Sequence, residues 1–117
     1  MKIGAVLLVG LTACAAARSP TPPTVRVGSA EEAVKAAARG GAYEHPRAAV
    51  HLRLAASEVA RARVLIRRGE YREAESLLQR AEADAEVAKV LAREAQLRAD
   101  VDAARTRVAT TRRRGTR

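Results

Sequence analysis

Apolar residues recur along most of this chain at alternating spacings of three and four, the pattern that keeps one face of an α-helix apolar. Leu52, Ala55, Val59, Ala62 and Ile66 form one such seam, and Ala74, Leu78, Ala81, Ala85, Ala88, Ala92, Ala95 and Ala99 form a longer one. Gly69 lies between them, a residue suited to ending one helix before the next begins. The pattern predicts two helices folded back on each other, with Ile66 facing Ala74, Ala62 facing Leu78, Val59 facing Ala81 and Leu52 near Ala88. The first of the pair opens at Pro46, whose missing N–H suits the first helical position, and runs to about Arg68. The second opens near Tyr71 and meets no Gly or Pro until Gly115. That is about 40 residues, or roughly 60 Å of helix, with a Thr- and Arg-rich end expected to fray.

Ahead of this pair, Ser29 and Glu32 have the spacing of a capping box and predict a short helix over about Ala30 to Arg39, stopped by Gly40-Gly41. The expected fold is all-α: an antiparallel helical hairpin with a long Ala-rich third helix and a short N-terminal helix. Glu94 and Arg98, and likewise Arg80 and Asp84, stand four apart and are expected to pair along the third helix. Leu97, Val101 and Val108 lie beyond the reach of the second helix. The short helix, through Ala33, Val34 and Ala37, or a second copy of the chain is expected to cover them. Gly41-Ala42-Tyr43 and Gly69-Glu70-Tyr71 echo each other 28 residues apart, each ending one helix before the next. Both tyrosines are expected to plug their corners, ring packed and hydroxyl wet, with a binding role as the alternative.

Composition makes this core a weak one. Hydrophobic residues are 48% of the 117, yet there is no Phe or Trp and only two Tyr, so the apolar content is mostly Ala with some Val and Leu. At roughly 25 cal/mol per Å² buried, an Ala-based core of this size comes close to balancing backbone entropy, which favours an added partner or self-association.

The first residues read as a targeting element: Met1-Lys2 is a basic start, Ile3 to Gly10 is apolar, and small residues follow. Arg18 and Pro20 interrupt the run well short of the about 20 apolar residues a membrane span needs. Leu11-Thr12-Ala13-Cys14 resembles the bacterial lipobox at all four positions. That resemblance implies a diacylglycerol thioether on Cys14 and cleavage before it, giving a signal peptide over residues 1–13. The alternatives are an ordinary secretory signal cut near Ala15-Ala16-Ala17, or a cysteine of no special role. No second cysteine exists to pair with Cys14. Residues 14–28, with Pro20, Pro22 and Pro23, read as an extended tether able to hold a domain roughly 40 Å from a membrane. By the same resemblance, Ala15 in place of Asp after the lipidated position implies the outer membrane, facing the periplasm. The helical domain is expected over 29–111 and a basic tail over 112–117.

Across about residues 36 to 97 the chain resembles a small domain of unknown function found in bacterial lipoproteins, sometimes ahead of an OmpA-like peptidoglycan-binding domain. The matching features are Gly41-Ala42 before Tyr43, Pro46 opening a helix, the Gly69-Glu70-Tyr71 turn followed by Ala74, and then Ala81, Asp84-Ala85 and Ala88. Glu44-His45 departs from the pattern, in which a small residue usually precedes the proline. No OmpA-like domain is expected here, so peptidoglycan binding does not carry over from that neighbour. The turn also resembles a tetratricopeptide corner, but one helical pair is too few for a solenoid groove.

Residues suited to catalysis or metal binding are sparse. His45 and His51 are six apart and fall on different faces of a helix, and Cys14 is sequestered with lipid, so no metal site is expected. His45 reads as a helix cap or a solvated side chain. Ser57-Glu58 reads as ordinary helix surface, and no nucleophile stands near a base. Neither an enzyme nor a cofactor is expected.

Charge adds one further clue. Lys and Arg number 22 against 13 Asp and Glu, a formal charge of +9. After Asp102 come Arg105, Arg107, Arg112, Arg113, Arg114 and Arg117 with no acid among them, where cations suit a helix C-terminus. Export and the lack of stacking aromatics argue against nucleic acid, leaving anionic lipid, lipopolysaccharide or cell wall as polyanionic partners, or a solvated tail with no partner. Two functions follow: a non-catalytic envelope lipoprotein serving as spacer or docking module for another envelope protein or for itself, or a polyanion binder acting through its arginines.

Overall fold

The computed structural model describes residues 21–115, and over that span it is a three-helix bundle from which the last helix projects. Helix α1 spans Thr24–Arg39, α2 spans Pro46–Arg67 and α3 spans Tyr71–Gly115. A single 3₁₀ turn over Ala42–Glu44 joins α1 to α2. Among the described residues there is no strand.

The two apolar seams meet as their spacing requires. Ala55, Val59, Ala62, Ala74, Leu77, Leu78, Ala81 and Ala85 bury themselves in one cluster, with Ile66 packed against it. Leu52 joins Ala88 and Ala92 in a second cluster nearer the α1–α2 connection. Most of these side chains are methyl groups, so the helix backbones can approach toward the short end of the usual 8–10 Å range. Helix α1 supplies Ala30 to the first cluster and Ala37 to the second, with Ala33 and Val34 partly buried, and so runs beside α3 in the same direction.

Helix α1 begins earlier than the capping-box spacing suggests. It starts at Thr24, directly after Pro23, and Ser29 lies exposed inside it without capping anything. Residues 24–28, expected in an extended tether, therefore belong to helix α1. Gly28 costs a helix about 1 kcal/mol relative to Ala, but the segment recovers contacts through Val27, packed on the core, and through Arg26. The Arg26 guanidinium reaches Glu82 at 3.0 Å and Glu75 at 3.5 Å, two carboxylates one heptad apart on α3. Glu31 on the same helix pairs with Arg63 on α2.

Both corners depend on glycine in the left-handed region, Gly41 at φ +82° and Gly69 at φ +77°. At the second, the Gly69 N–H donates to the Ile66 carbonyl and the Glu70 N–H to the Leu65 carbonyl, each at 3.0 Å, the paired bonds of a Schellman motif. Chain reversal between α2 and α3 thus takes three residues, Arg68 to Glu70. At the first corner the His45 carbonyl accepts the Ala49 N–H, but the His45 side chain makes no capping bond.

The bundle ends before α3 does. With 22 residues, α2 is about 33 Å long, whereas the 45 residues of α3 reach about 67 Å. Ala92 is buried, Ala95 half-buried and Ala99 exposed, so Ala99 is not part of the packed seam. Helix α1 lies wholly alongside the bundle and covers none of Leu97, Val101 or Val108, which are 56%, 48% and 52% exposed. From Gln96 to Gly115 every residue is exposed, yet the segment is helical throughout instead of frayed.

Ala85 tests the packing, because it is 1% exposed where α3 meets the other helices. Ala85→Leu is expected to cost about 1–3 kcal/mol in chemical denaturation through overpacking, whereas Ala83→Leu, on the exposed face of the same turn, should stay within about 0.5 kcal/mol of wild type. Equal, small effects at both positions would contradict a closed seam.

Candidate interaction surface

Two features lie outside the apolar seam, a line of polar pairs along the α2–α3 edge and the exposed part of α3. The polar edge follows from antiparallel register. Residues flanking one seam face residues flanking the other, and His51 Nδ1 lies 2.7 Å from Asp84 Oδ1 as a hydrogen-bonded pair. One heptad further along α2, the same register sets Glu58 opposite Leu77, one heptad back along α3. Leu77 is buried, and Glu58 is buried with it, only 6% exposed and not on the open helix surface.

Glu58 is therefore a carboxyl held among apolar groups. Its Oε1 lies 3.6 Å from Arg80 Nε, while its Oε2 is buried without a hydrogen-bond partner. Desolvation raises its pKa, Arg80 pulls it down, and the nearby Asp84 raises it again, leaving it above the ordinary carboxylate range. The expected Arg80–Asp84 pair is replaced by these interhelical contacts, Arg80 with Glu58 and Asp84 with His51. The Glu94–Arg98 pair does form, at 2.5 Å. Ser57 is exposed and donates to the Leu54 carbonyl at 2.8 Å. Flanking positions on both seams carry the signal that would have located His51, Glu58 and Asp84, but only once the register is fixed.

The corner residues have divided roles. Gly41 and Gly69 supply the two left-handed turns, and Tyr71 is half-buried at the start of α3. Tyr43 does not plug its corner: it is 61% exposed, and Ala42 beside it fills the buried position instead. Ala42 is small enough to fit under the 3₁₀ turn, which directs the neighbouring ring outward.

On the projecting arm, Arg105, Arg107, Arg112, Arg113 and Arg114 all stand on exposed helix. Arg105 lies 3.6 Å from Asp102, one turn back. Thr106, Thr110 and Thr111 each donate a hydroxyl to the carbonyl four residues earlier, a local satisfaction that needs no partner. Leu11, Thr12, Ala13, Cys14 and Arg117 lie outside the described residues. Among the described residues no group of three or more His, Cys, Asp or Glu side chains could hold a metal ion, and no helix is long and apolar enough to cross a membrane.

The fold is an all-α bundle extended by one exposed helix, and a fold alone specifies no activity. The chain belongs to the family described as Domain of unknown function (DUF4398), whose model matches residues 26–104. The match opens at Arg26, inside α1 and ahead of Ser29, and closes at Ala104 on the arm. No curated protein and no solved structure matches the chain.

The desolvated carboxyl of Glu58 gives a pH-dependent prediction. Because the folded state raises the Glu58 pKa, its protonated form fits the fold, and stability present at acid pH is lost as pH rises through the folded pKa. Glu58→Gln should stabilise the bundle by up to about 1 kcal/mol at pH 7.5 and change it little at pH 4, measured by denaturation at both values. Lower stability than wild type at pH 7.5 would show that the Arg80 contact outweighs desolvation.

Proposed function

We propose that the protein is a non-catalytic lipoprotein of the bacterial cell envelope, a helical spacer or docking module anchored through a lipid on Cys14 and facing the periplasm from the outer membrane. The observation that carries this reading is the Leu11-Thr12-Ala13-Cys14 sequence at the end of an apolar run, followed by prolines and then by a bundle. More than one acyl chain at Cys14 would hold the chain on a membrane, since a single chain binds only marginally. The bundle then stands off the surface and α3 extends beyond it. Its polar pairs lie along a helix edge instead of converging on an enclosed cleft, which suits a scaffold better than a catalyst.

A second reading rests on the arm. Arg105, Arg107, Arg112, Arg113, Arg114 and Arg117 follow the last acid of the chain, Asp102, and would suit lipopolysaccharide, anionic lipid or cell wall. It differs from the first in what the arm meets, not in the anchor.

Metabolic labelling with a clickable palmitate analogue tests the anchor. Wild-type chain should take up label and partition with membranes, and Cys14→Ser should do neither. Equal labelling of the two would remove the lipoprotein reading and the compartment with it.

A further inference from the structure

The arm carries a second apolar stripe that the bundle does not use. Leu97, Val101, Ala104 and Val108 recur at spacings of four, three and four, and the run starts at Leu97 because Glu94 occupies the same face one heptad before Val101. At about 100° of turn per residue, Leu97 and Val101 fall roughly opposite Ala88 and Ala92, which face the other helices. Meanwhile the face that continues the bundle seam becomes Ala99, Ala103, Thr106 and Thr110. No lengthening of α2 along its own path would cover Leu97, Val101 and Val108. The stripe needs a partner that approaches from the other side of α3.

Its width and borders say which partner. One apolar position per turn, with no aromatic residue, is the narrow seam of helix-to-helix pairing and not the broad sector of a helix lying in a bilayer surface. Seven-residue columns border it: Arg98, Arg105 and Arg112 on one side, and Arg93, Asp100, Arg107 and Arg114 on the other. In a parallel pair each column meets the opposite column of the partner, and in an antiparallel pair each meets its own kind. A second copy would therefore set arginine against arginine at most flanking positions in either orientation. A helix with Glu or Asp at those positions would instead meet opposite charge at every one of them except Asp100. Arg112 has a partner of its own, and Arg98 and Arg105 already contact Glu94 and Asp102, but these last two pairs are exposed, worth little, and open to exchange with an incoming carboxylate.

We infer that the exposed face of α3 from Leu97 to Val108 is a docking seam for an acidic amphipathic helix of another protein. The inference rests on the docking-module reading and names its partner class. It does not depend on the lipid.

The test uses the full chain in non-ionic detergent micelles and fluorescent synthetic peptides of about four heptads, with Leu and Ile in the seam and either Glu or Lys at every flanking position. The Glu peptide should bind, and roughly tenfold more weakly as salt is raised from low to high ionic strength, while the Lys peptide should not. Val101→Asp, on an exposed site with helicity checked by circular dichroism, should weaken binding by at least about tenfold. Changing Arg98, Arg105 and Arg112 together to Glu, which leaves Arg93, Arg107 and Arg114 opposite three new acids, should abolish the preference for the Glu peptide. Equal binding of both peptides overturns the inference, as does Glu-peptide binding untouched by Val101→Asp. So does Val101-dependent self-association in sedimentation, which would make the partner a second copy. Capture of phosphatidylglycerol vesicles that Val101→Asp abolishes, with no peptide bound, would give the seam to a membrane surface. Palmitate labelling at Cys14 is read separately, so failure here leaves the anchor standing.

Discussion

Close approach of helix backbones over alanine is the constraint from which the rest of this molecule follows. Where α2 and α3 meet, Ala55, Ala62, Ala74, Ala81, Ala85, Ala88 and Ala92 are buried, and Leu52 and Leu78 are the largest side chains with almost no exposure. Methyl groups bury little area each, so such a core gains from closeness and from many short contacts more than from bulk. It also tolerates little. Side chains at the seam's margins are drawn into the interface whether or not they are apolar, which is how Glu58 comes to be desolvated beside Leu77. Cross-helix pairs at the margins, Arg26 with Glu75 and Glu82, Arg63 with Glu31 and His51 with Asp84, then align the three helices.

The same constraint separates the bundle from the arm. Alanine can close a seam only where a second backbone lies against it, and α2 is half the length of α3. Past Ala95 the alanine face has nothing to meet and gives way to threonine, while leucine and valine appear on the other side of the helix. Local hydrogen bonds and helix propensity maintain the arm, but its apolar face lies outside both core clusters of the bundle. This division suits a module with one end committed to folding and the other to encounter, and it fits the proposed tethered scaffold.

Much of the bundle could be read directly from residue spacing. The three-and-four alternation placed α2 and α3, and Gly69 placed their reversal, because only glycine adopts the left-handed turn there without strain. Other features depended on contacts that spacing does not encode. The start of α1 was obscured by Pro20, Pro22, Pro23 and Gly28, which read as a break until Arg26 is seen docked on α3 and Val27 packed on the core. Tyr43 was expected inside its corner, but the turn geometry gives that place to Ala42. Glu58 looked like surface because its burial is decided by the partner helix. The arm's apolar residues were visible, though not that they face away from the bundle, since that needs the rotation of α3 fixed by its buried seam.

The central claim is that one continuous helix serves as both bundle wall and rigid arm. Spin labels at Gln79 and Ala109, both exposed, in a Cys14→Ser background would measure it by double electron–electron resonance. Thirty residues of unbroken α-helix separate the two positions by about 45 Å, and the account predicts a narrow distribution centred there. A broad distribution shifted to shorter distances would mean that the arm melts or folds back onto the bundle, and would contradict it.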